Sequence, residues 1–336
     1  MVEYLHRERA VVYDRGGRGD PVVLLHNAGA QRRIWDDQFE VLRRDHEVFA
    51  LDLPGYGESE QPRGYRLADY VEMLGGFLDA HRLDEVALIG NCLGSATSLS
   101  YAMGDPARVR GLILVNPLTW NTVRRGDQAP LMWFDRFVSL APLARRLALP
   151  GPVVSMIVTN QLGPRGRRRK LQNSPRLQAY WRDRGRLFAL DRLVQDFPAF
   201  AALDEFEPGP EFPPICTVWG RRNRILSARA GARLDETLRP RTRLVLDDCG
   251  HLPMVEDPDT VTAAITTFLA GPGTAHRAPG PGCGGTSVSL SETHSGAPES
   301  TASPTGFRMC RVTSRSRSAT GVLSGVTRRG RTWINR

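Results

Sequence analysis

The segment Val86-Ala-Leu-Ile-Gly-Asn-Cys-Leu-Gly-Ser95 constrains the fold more tightly than any other part of the chain. An apolar run enters a Gly-x-Cys-x-Gly turn, and the small-residue stretch Ala96-Thr-Ser-Leu-Ser-Tyr-Ala102 follows. The pattern is that of a short buried strand, a tight turn and a closely packed helix. Such a turn leaves no room for side chains at Gly90 and Gly94, and it holds residue 92 at a strained backbone angle. The strain lifts one side chain, here the Cys92 thiol, above the end of a sheet. The plain alternative is a cysteine that fills space as a small buried hydrophobe.

The rest of the chain sets this turn in a repeating pattern. Residues 3–14 read as an opening strand pair. Strands follow at 21–26, 47–52, 85–90 and 109–116, with helices near 31–44, 66–82 and 93–103 between them. Helix 66–82 places Leu67, Tyr70, Val71, Leu74, Phe77 and Leu78 at helical spacing. Strands apolar on both faces and alternating with helices predict an α/β fold, a mostly parallel central sheet flanked by helices. The alternation stops after Asn116 and resumes at Ile215, with a helix near 227–239, a strand at 242–247 and a final helix near 257–270. The organisation expected is a core of residues 1–116 and 213–270, an inserted helical cap or lid over 117–212, and a disordered Arg/Ser/Pro/Gly-rich tail over 271–336. The tail has too little apolar surface to offset the entropy of ordering.

Charge and cysteine usage bound the function classes. The net charge is +9, but the tail holds nine Arg and two Glu, so +7 of it lies there and the remainder is nearly neutral. The high pI therefore implies no nucleic-acid partner. The five cysteines, Cys92, Cys216, Cys249, Cys283 and Cys310, form no CxxC pair and no metal-ligand spacing. An odd, scattered set fits a reducing compartment. The N-terminus has no apolar signal core, and no uncharged stretch of about 18 residues predicts a membrane span. These features predict a cytoplasmic protein without metal or cofactor.

Three further segments complete a resemblance. They are Pro21-Val-Val-Leu-Leu-His-Asn-Ala-Gly29, Glu47-Val-Phe-Ala-Leu-Asp-Leu-Pro-Gly-Tyr-Gly-Glu-Ser59, and Thr242-Arg-Leu-Val-Leu-Asp-Asp-Cys-Gly-His-Leu-Pro253. With the Cys92 turn, residues 3–270 resemble the α/β-hydrolase superfamily in its cap-bearing branch, with cysteine in the nucleophile elbow. The resemblance implies Cys92 as nucleophile and His251 as base. It implies an oxyanion hole from the backbone N–H of Leu93 and from the loop His26-Asn27-Ala28-Gly29. In that loop Asn27 stands where the family has glycine, which leaves Ala28 as the donor and Asn27 as a further side-chain donor. His26 takes a structural role in the loop.

The third catalytic position departs from the family. The segment Val218-Trp-Gly-Arg-Arg-Asn-Arg-Ile-Leu-Ser227 carries Asn223 where the acid is expected, and the alternative acid position, after the strand before the cap, carries Asn116. Exchanging Asp for Asn in a serine triad costs about 10⁴ in rate, whereas Cys-His-Asn sets use the amide to orient the imidazole. Cys92, His251 and Asn223 are thus mutually consistent. Asp247 and Asp248 are alternative acids. The lid aromatics line an acyl pocket or pack on the core, and Arg165-Gly-Arg-Arg-Arg-Lys170 is a solvated loop or a dock for an acidic carrier protein.

Three functions fit. The first is a hydrolase or acyltransferase acting on an ester or thioester through acyl-Cys92, with a small-molecule acyl substrate that includes carrier-protein or coenzyme A thioesters. A helix N-terminus and a nearby imidazolium would then favour the thiolate. The second is a degenerate hydrolase that binds a small apolar ligand under its cap. The third is a lyase that uses His251 as base. Dienelactone hydrolases and polyhydroxyalkanoate synthases have similar cysteine elbows, but nothing else ties the chain to either.

Overall fold

The computed structural model describes residues 2–127, 129–130, 149–181 and 184–271. Residues 272–336, on which the expectation of a disordered tail falls, lie outside the described residues, as do 131–148 of the expected cap.

Eight strands build one sheet: β1 (Val2–His6), β2 (Arg9–Gly16), β3 (Asp20–Leu25), β4 (His46–Leu51), β5 (Val86–Asn91), β6 (Val109–Val115), β7 (Ile215–Gly220) and β8 (Thr242–Leu246). Their order is β1-β2-β4-β3-β5-β6-β7-β8. The β1–β2 and β2–β4 pairs are antiparallel, and every other pair is parallel. Helices α1 (Asp36–Leu42), α2 (Leu67–His81) and α3 (Leu93–Gly104) alternate with the first strands. The mostly parallel sheet flanked by helices is the architecture the alternation predicts.

Every residue of β5, β6 and β7 is buried, as a sheet covered on both faces requires. Successive residues feed opposite layers. Val23, Leu25, Leu88 and Leu112 join the layer of Tyr70, Leu74 and Phe77 on α2. Val22, Leu24, Ile89 and Ile113 join the layer of Trp35 and, from the C-terminal helix, Ile265 and Phe268. The Arg32 guanidinium, 1% exposed, lies beside Asp14, Asp52 and Glu58 and ties the β3 and β4 loops together.

Between β6 and β7 the described residues are helical and contain no strand. They form α4 (Trp120–Arg124), α5 (Gly151–Gln161), α6 (Pro164–Arg168), α7 (Pro175–Ala179), α8 (Arg184–Asp196) and α9 (Ala201–Asp204). The chain closes with α10 (Ala228–Leu238), α11 (Pro253–Glu256) and α12 (Pro258–Leu269). Among the described residues no helix is long and apolar enough to cross a membrane.

The four arginines of Arg165–Lys170 bond to the fold. Arg165 pairs with Asp257 and Arg168 with Asp248. Arg167 donates to the Leu162 carbonyl, and Arg169 to those of Val255 and Glu256. Together these contacts fasten α6 to the segment that carries His251.

Candidate active site

Parallel strands end on the same side of a sheet, so the loops after β3, β5, β6, β7 and β8 converge at one edge. Cys92, at φ +52° and ψ −109°, is the residue between β5 and α3. The glycines force this geometry. A Cβ on Gly90 would stand 2.2 Å from the Gly94 carbonyl carbon, and one on Gly94 would stand 2.3 Å from the Leu25 carbonyl oxygen. Cys92 N–H donates to the Val115 carbonyl at 3.0 Å, and the Gly94 N–H to that of His26 at 3.1 Å. The elbow is thereby tied to both neighbouring loops.

The backbone N–H groups of Leu93 and Ala28 lie against the Cys92 sulfur and favour its thiolate form. These are the two positions named from the sequence. The Asn27 side chain is committed elsewhere: its Nδ2 donates to the Ala28 carbonyl at 3.0 Å, and its Oδ1 accepts from Asn91 Nδ2 at 3.3 Å. One Nδ2 hydrogen of the expected side-chain donor Asn27 thus stabilises its own loop. His26 has the structural role expected of it. Its Nε2 accepts from the Leu53 N–H at 2.8 Å, so Nδ1 carries the proton and donates to the Asn27 carbonyl at 2.8 Å. Burial pushes this imidazole down to about 4.

His251 is 2% exposed, and its N–H donates to the Gln161 carbonyl at 2.6 Å. Two buried amides and a buried carboxylate surround this backbone. Asn91 and Asn116 both donate Nδ2 hydrogens to the His251 carbonyl, at 3.3 and 3.2 Å. Asn116 also accepts from the Gly220 N–H at 3.0 Å, which joins the ends of β6, β7 and the histidine loop. Glu256, fully buried, accepts from the N–H groups of Gly250 and Gly163 at 2.7 Å each, and of Gly166 at 3.2 Å. Burial raises its carboxyl above the ordinary range, and the backbone donors act against that. Asn91 and Glu256 were not singled out from the sequence. The available signal for Glu256 is an acid directly after the apolar run Leu252–Val255.

Asn223 is buried on the β7 loop. Its neighbour Arg222 donates its N–H to the Cys249 carbonyl at 2.9 Å. Its Oδ1 accepts from the N–H groups of Ile225 and Leu226, at 2.9 and 3.1 Å. That oxygen is occupied by its own turn, and it makes no hydrogen bond to the imidazole. His251 Nδ1 and Asn223 Nδ2 are both buried without a hydrogen-bond partner. The alternative acids face away from the imidazole: Asp247 pairs with Arg221 and Asp248 with Arg168, and the Arg168 contact holds the Asp248 carboxyl below its ordinary value.

The electrostatics differ from the sequence expectation. Burial pushes the Cys92 thiol up to about 12 against the opposing pull of the Leu93 and Ala28 N–H groups, and it pushes His251 down to about 3. Desolvation favours the neutral form of each and opposes a preformed thiolate–imidazolium pair, against the pull of the helix N-terminus. Residues from the insertion close over the loop. A Cβ on Gly29 would touch Trp181 Cη2 at 2.4 Å, and the buried Arg186 donates to the Ala30 carbonyl at 2.7 Å.

The sequence model of the alpha/beta hydrolase fold matches residues 20–258. The chain belongs to this family. It is 28% identical over 259 residues to a 2-hydroxy-6-oxo-2,4-heptadienoate hydrolase of Pseudomonas putida, covering 76% of this chain and 90% of that protein. It is 39% identical over 114 residues to a 1-acylglycerol-3-phosphate O-acyltransferase of Rattus norvegicus, covering 32% of each. Among solved structures, a thermophilic esterase from Thermogutta terrifontis aligns with TM-score 0.67 at 22% identity, covering 78% of this chain and 93% of that one. An enol-lactonase from Burkholderia xenovorans aligns with TM-score 0.66 at 18% identity, covering 80% and 99%.

The Asn116 clamp yields a stability prediction. Asn116 sits at φ +42°, a conformation that asparagine tolerates better than most residues. Asn116→Ala removes the acceptor for the Gly220 N–H and the donor to the His251 carbonyl. Unpaired buried groups cost about 1–3 kcal/mol, and an alanine at positive φ adds about 1 kcal/mol. Urea unfolding is expected to show a loss of about 2–4 kcal/mol. A loss below about 0.5 kcal/mol, the scale of an ordinary surface substitution, would remove the clamp role.

Proposed function

We propose that this protein is an acyl-transfer enzyme that cleaves an ester or thioester through a covalent acyl-Cys92 intermediate. The observation that carries this reading is the convergence of the Leu93 and Ala28 N–H groups on the sulfur of a strained residue. Donors in that arrangement stabilise the oxyanion of a tetrahedral intermediate. His251 is the general base. With the neutral form of each group favoured by burial, the imidazole takes the thiol proton as sulfur attacks the acyl carbon, and returns it to the leaving group. Water or a second nucleophile then releases the acyl group. The family relatives, a hydrolase and an acyltransferase by name, support acyl transfer.

The helical insertion serves as the cap over the acyl group, and Trp181, packed on the donor loop, lines its floor. The acyl donor is a small molecule, with coenzyme A and carrier-protein thioesters included. Three buried free cysteines, Cys92, Cys216 and Cys249, fit a reducing cytoplasm. Asn223 is the residue best placed in sequence for the third catalytic role, which needs its amide oxygen to turn from the Ile225 and Leu226 N–H groups and accept the Nδ1 proton of His251.

A binding protein without turnover is the second reading, favoured by the unpartnered His251 Nδ1. Intact-protein mass spectrometry after incubation with an activated short-chain thioester separates the two. The expected result is one acyl adduct, mapped to the Cys92 peptide. An unmodified Cys92 beside saturable ligand binding would establish the binding protein instead.

A further inference from the structure

Away from the elbow, the loop that carries Asn223 runs into helix α10. Ser227 caps this helix by accepting the Ala230 N–H at 3.2 Å, and no acidic residue lies in its first turn. Beside the cap is a concavity of about 400 Å³ lined by Arg125, Ser227, Arg229, Ala230 and Arg233. That volume is in the range of small-ligand sites, about 300–1,000 Å³. Arg125 follows α4 of the insertion and Arg229 and Arg233 belong to the core, so the concavity spans the junction between them. The Ser227 N–H donates to the Thr122 carbonyl at 2.9 Å and holds the two sides together.

The three arginines are exposed, and none forms an ion pair with a described residue. Their neighbours behave differently: Arg221 pairs with Asp247, Arg224 with Asp127 and Arg243 with Asp235. A general excess of arginine would leave paired and unpaired side chains mixed. Other arginines without a described ion pair, such as Arg18, Arg44 and Arg82, occur elsewhere, whereas these three share one hollow. Arg229 and Arg233 are also four residues apart on one helix face, where like charges repel. Three guanidinium groups around a helix N-terminus form a strongly positive field with no internal counter-charge.

We propose that this concavity binds a phosphate or pyrophosphate group. Guanidinium groups match phosphate oxygens in paired geometry, and the free N–H groups of the first helical turn add donors. A singly charged carboxylate would leave most of the positive charge unmatched. The site holds the phosphorylated end of a ligand at the edge of the insertion. It stands independently of what Cys92 does.

The test uses the full chain and inorganic pyrophosphate, with ionic strength matched by sodium chloride. Isothermal titration is expected to show saturable binding, weakened at least ten-fold in Arg229→Ser/Arg233→Ser. Arg44→Ser, which removes one exposed charge elsewhere, is expected to leave the affinity unchanged. Circular dichroism checks that each variant folds. Coenzyme A and phosphatidate-containing vesicles then compete with the pyrophosphate, and displacement by one or the other identifies a soluble or a lipid source of the phosphate. No binding to the wild type, or equal weakening in Arg44→Ser, would overturn the proposal.

Discussion

Cys92→Ala is expected to lower turnover of an activated thioester by at least about 10³-fold, the scale on which loss of a nucleophile acts. Cys92→Ser should fall nearly as far. A serine hydroxyl needs a stronger base than a thiol, and His251 has no carboxylate at Nδ1 to stabilise the imidazolium. The informative variant is Cys92→Ser/Asn223→Asp. One carboxylate oxygen can keep the bonds that Asn223 Oδ1 makes to Ile225 and Leu226, while the other replaces the unpartnered Nδ2. The double variant should exceed Cys92→Ser by about 10² or more, a conservative part of the roughly 10⁴ that a triad carboxylate contributes in serine enzymes. Steady-state kinetics on one thioester decides this. A double variant no faster than Cys92→Ser would exclude residue 223 from the catalytic set. A Cys92→Ala variant as fast as wild type would end the covalent reading altogether.

The second large effect is on pH. Burial holds His251 at about 3 and Cys92 at about 12. The activity profile is therefore expected to be flat across the neutral range, without the rise near 6.5 that an ordinary histidine base gives. Asn223→Asp places a carboxylate beside the imidazole loop and favours its charged form, so a rising limb should appear in mildly acidic solution. Stability follows the same group. The folded-state value lies below the unfolded one of 6.5, so the unfolded chain takes up its proton first as pH falls. The contribution is complete above 6.5 and is lost as pH drops towards 3. His26, held at about 4, behaves alike. Together they contribute a slope of up to about 3 kcal/mol per pH unit, since each proton counts about 1.4. Urea midpoints at successive pH values should show that slope reduced by about half in His251→Gln. An unchanged slope would mean that the imidazole is not held neutral by burial. A rising limb near 6.5 in the wild type would show the same from kinetics.

The network around Glu256 ties the histidine loop to the insertion. One buried carboxylate gathers N–H groups from Gly250, Gly163 and Gly166, and the His251 N–H reaches Gln161. The histidine loop and the first part of the insertion are thus one unit. A hydrolase cap that moved freely at α5 and α6 would have to break these bonds.

The sequence determined the strand–helix alternation and the sheet, because fully apolar runs in β5, β6 and β7 can be satisfied only between two covering layers. It also determined the elbow, since Gly90 and Gly94 record a steric requirement at single positions. The positions of Leu93 and Ala28 followed from chain neighbourhood, a local property. Only the tertiary structure decided the protonation states, because desolvation depends on what the fold places around a group. Cys92 looked activated at a helix N-terminus, yet burial outweighs that dipole. Likewise Asn223 looked like an orienting acceptor, but its oxygen is taken by Ile225 and Leu226, three residues or fewer away. The reach of Glu256 to Gly163 and the pairing of Arg168 with Asp248 span 93 and 80 residues. No periodicity carries such contacts, since they exist only once the chain has brought distant backbone groups to the same buried place.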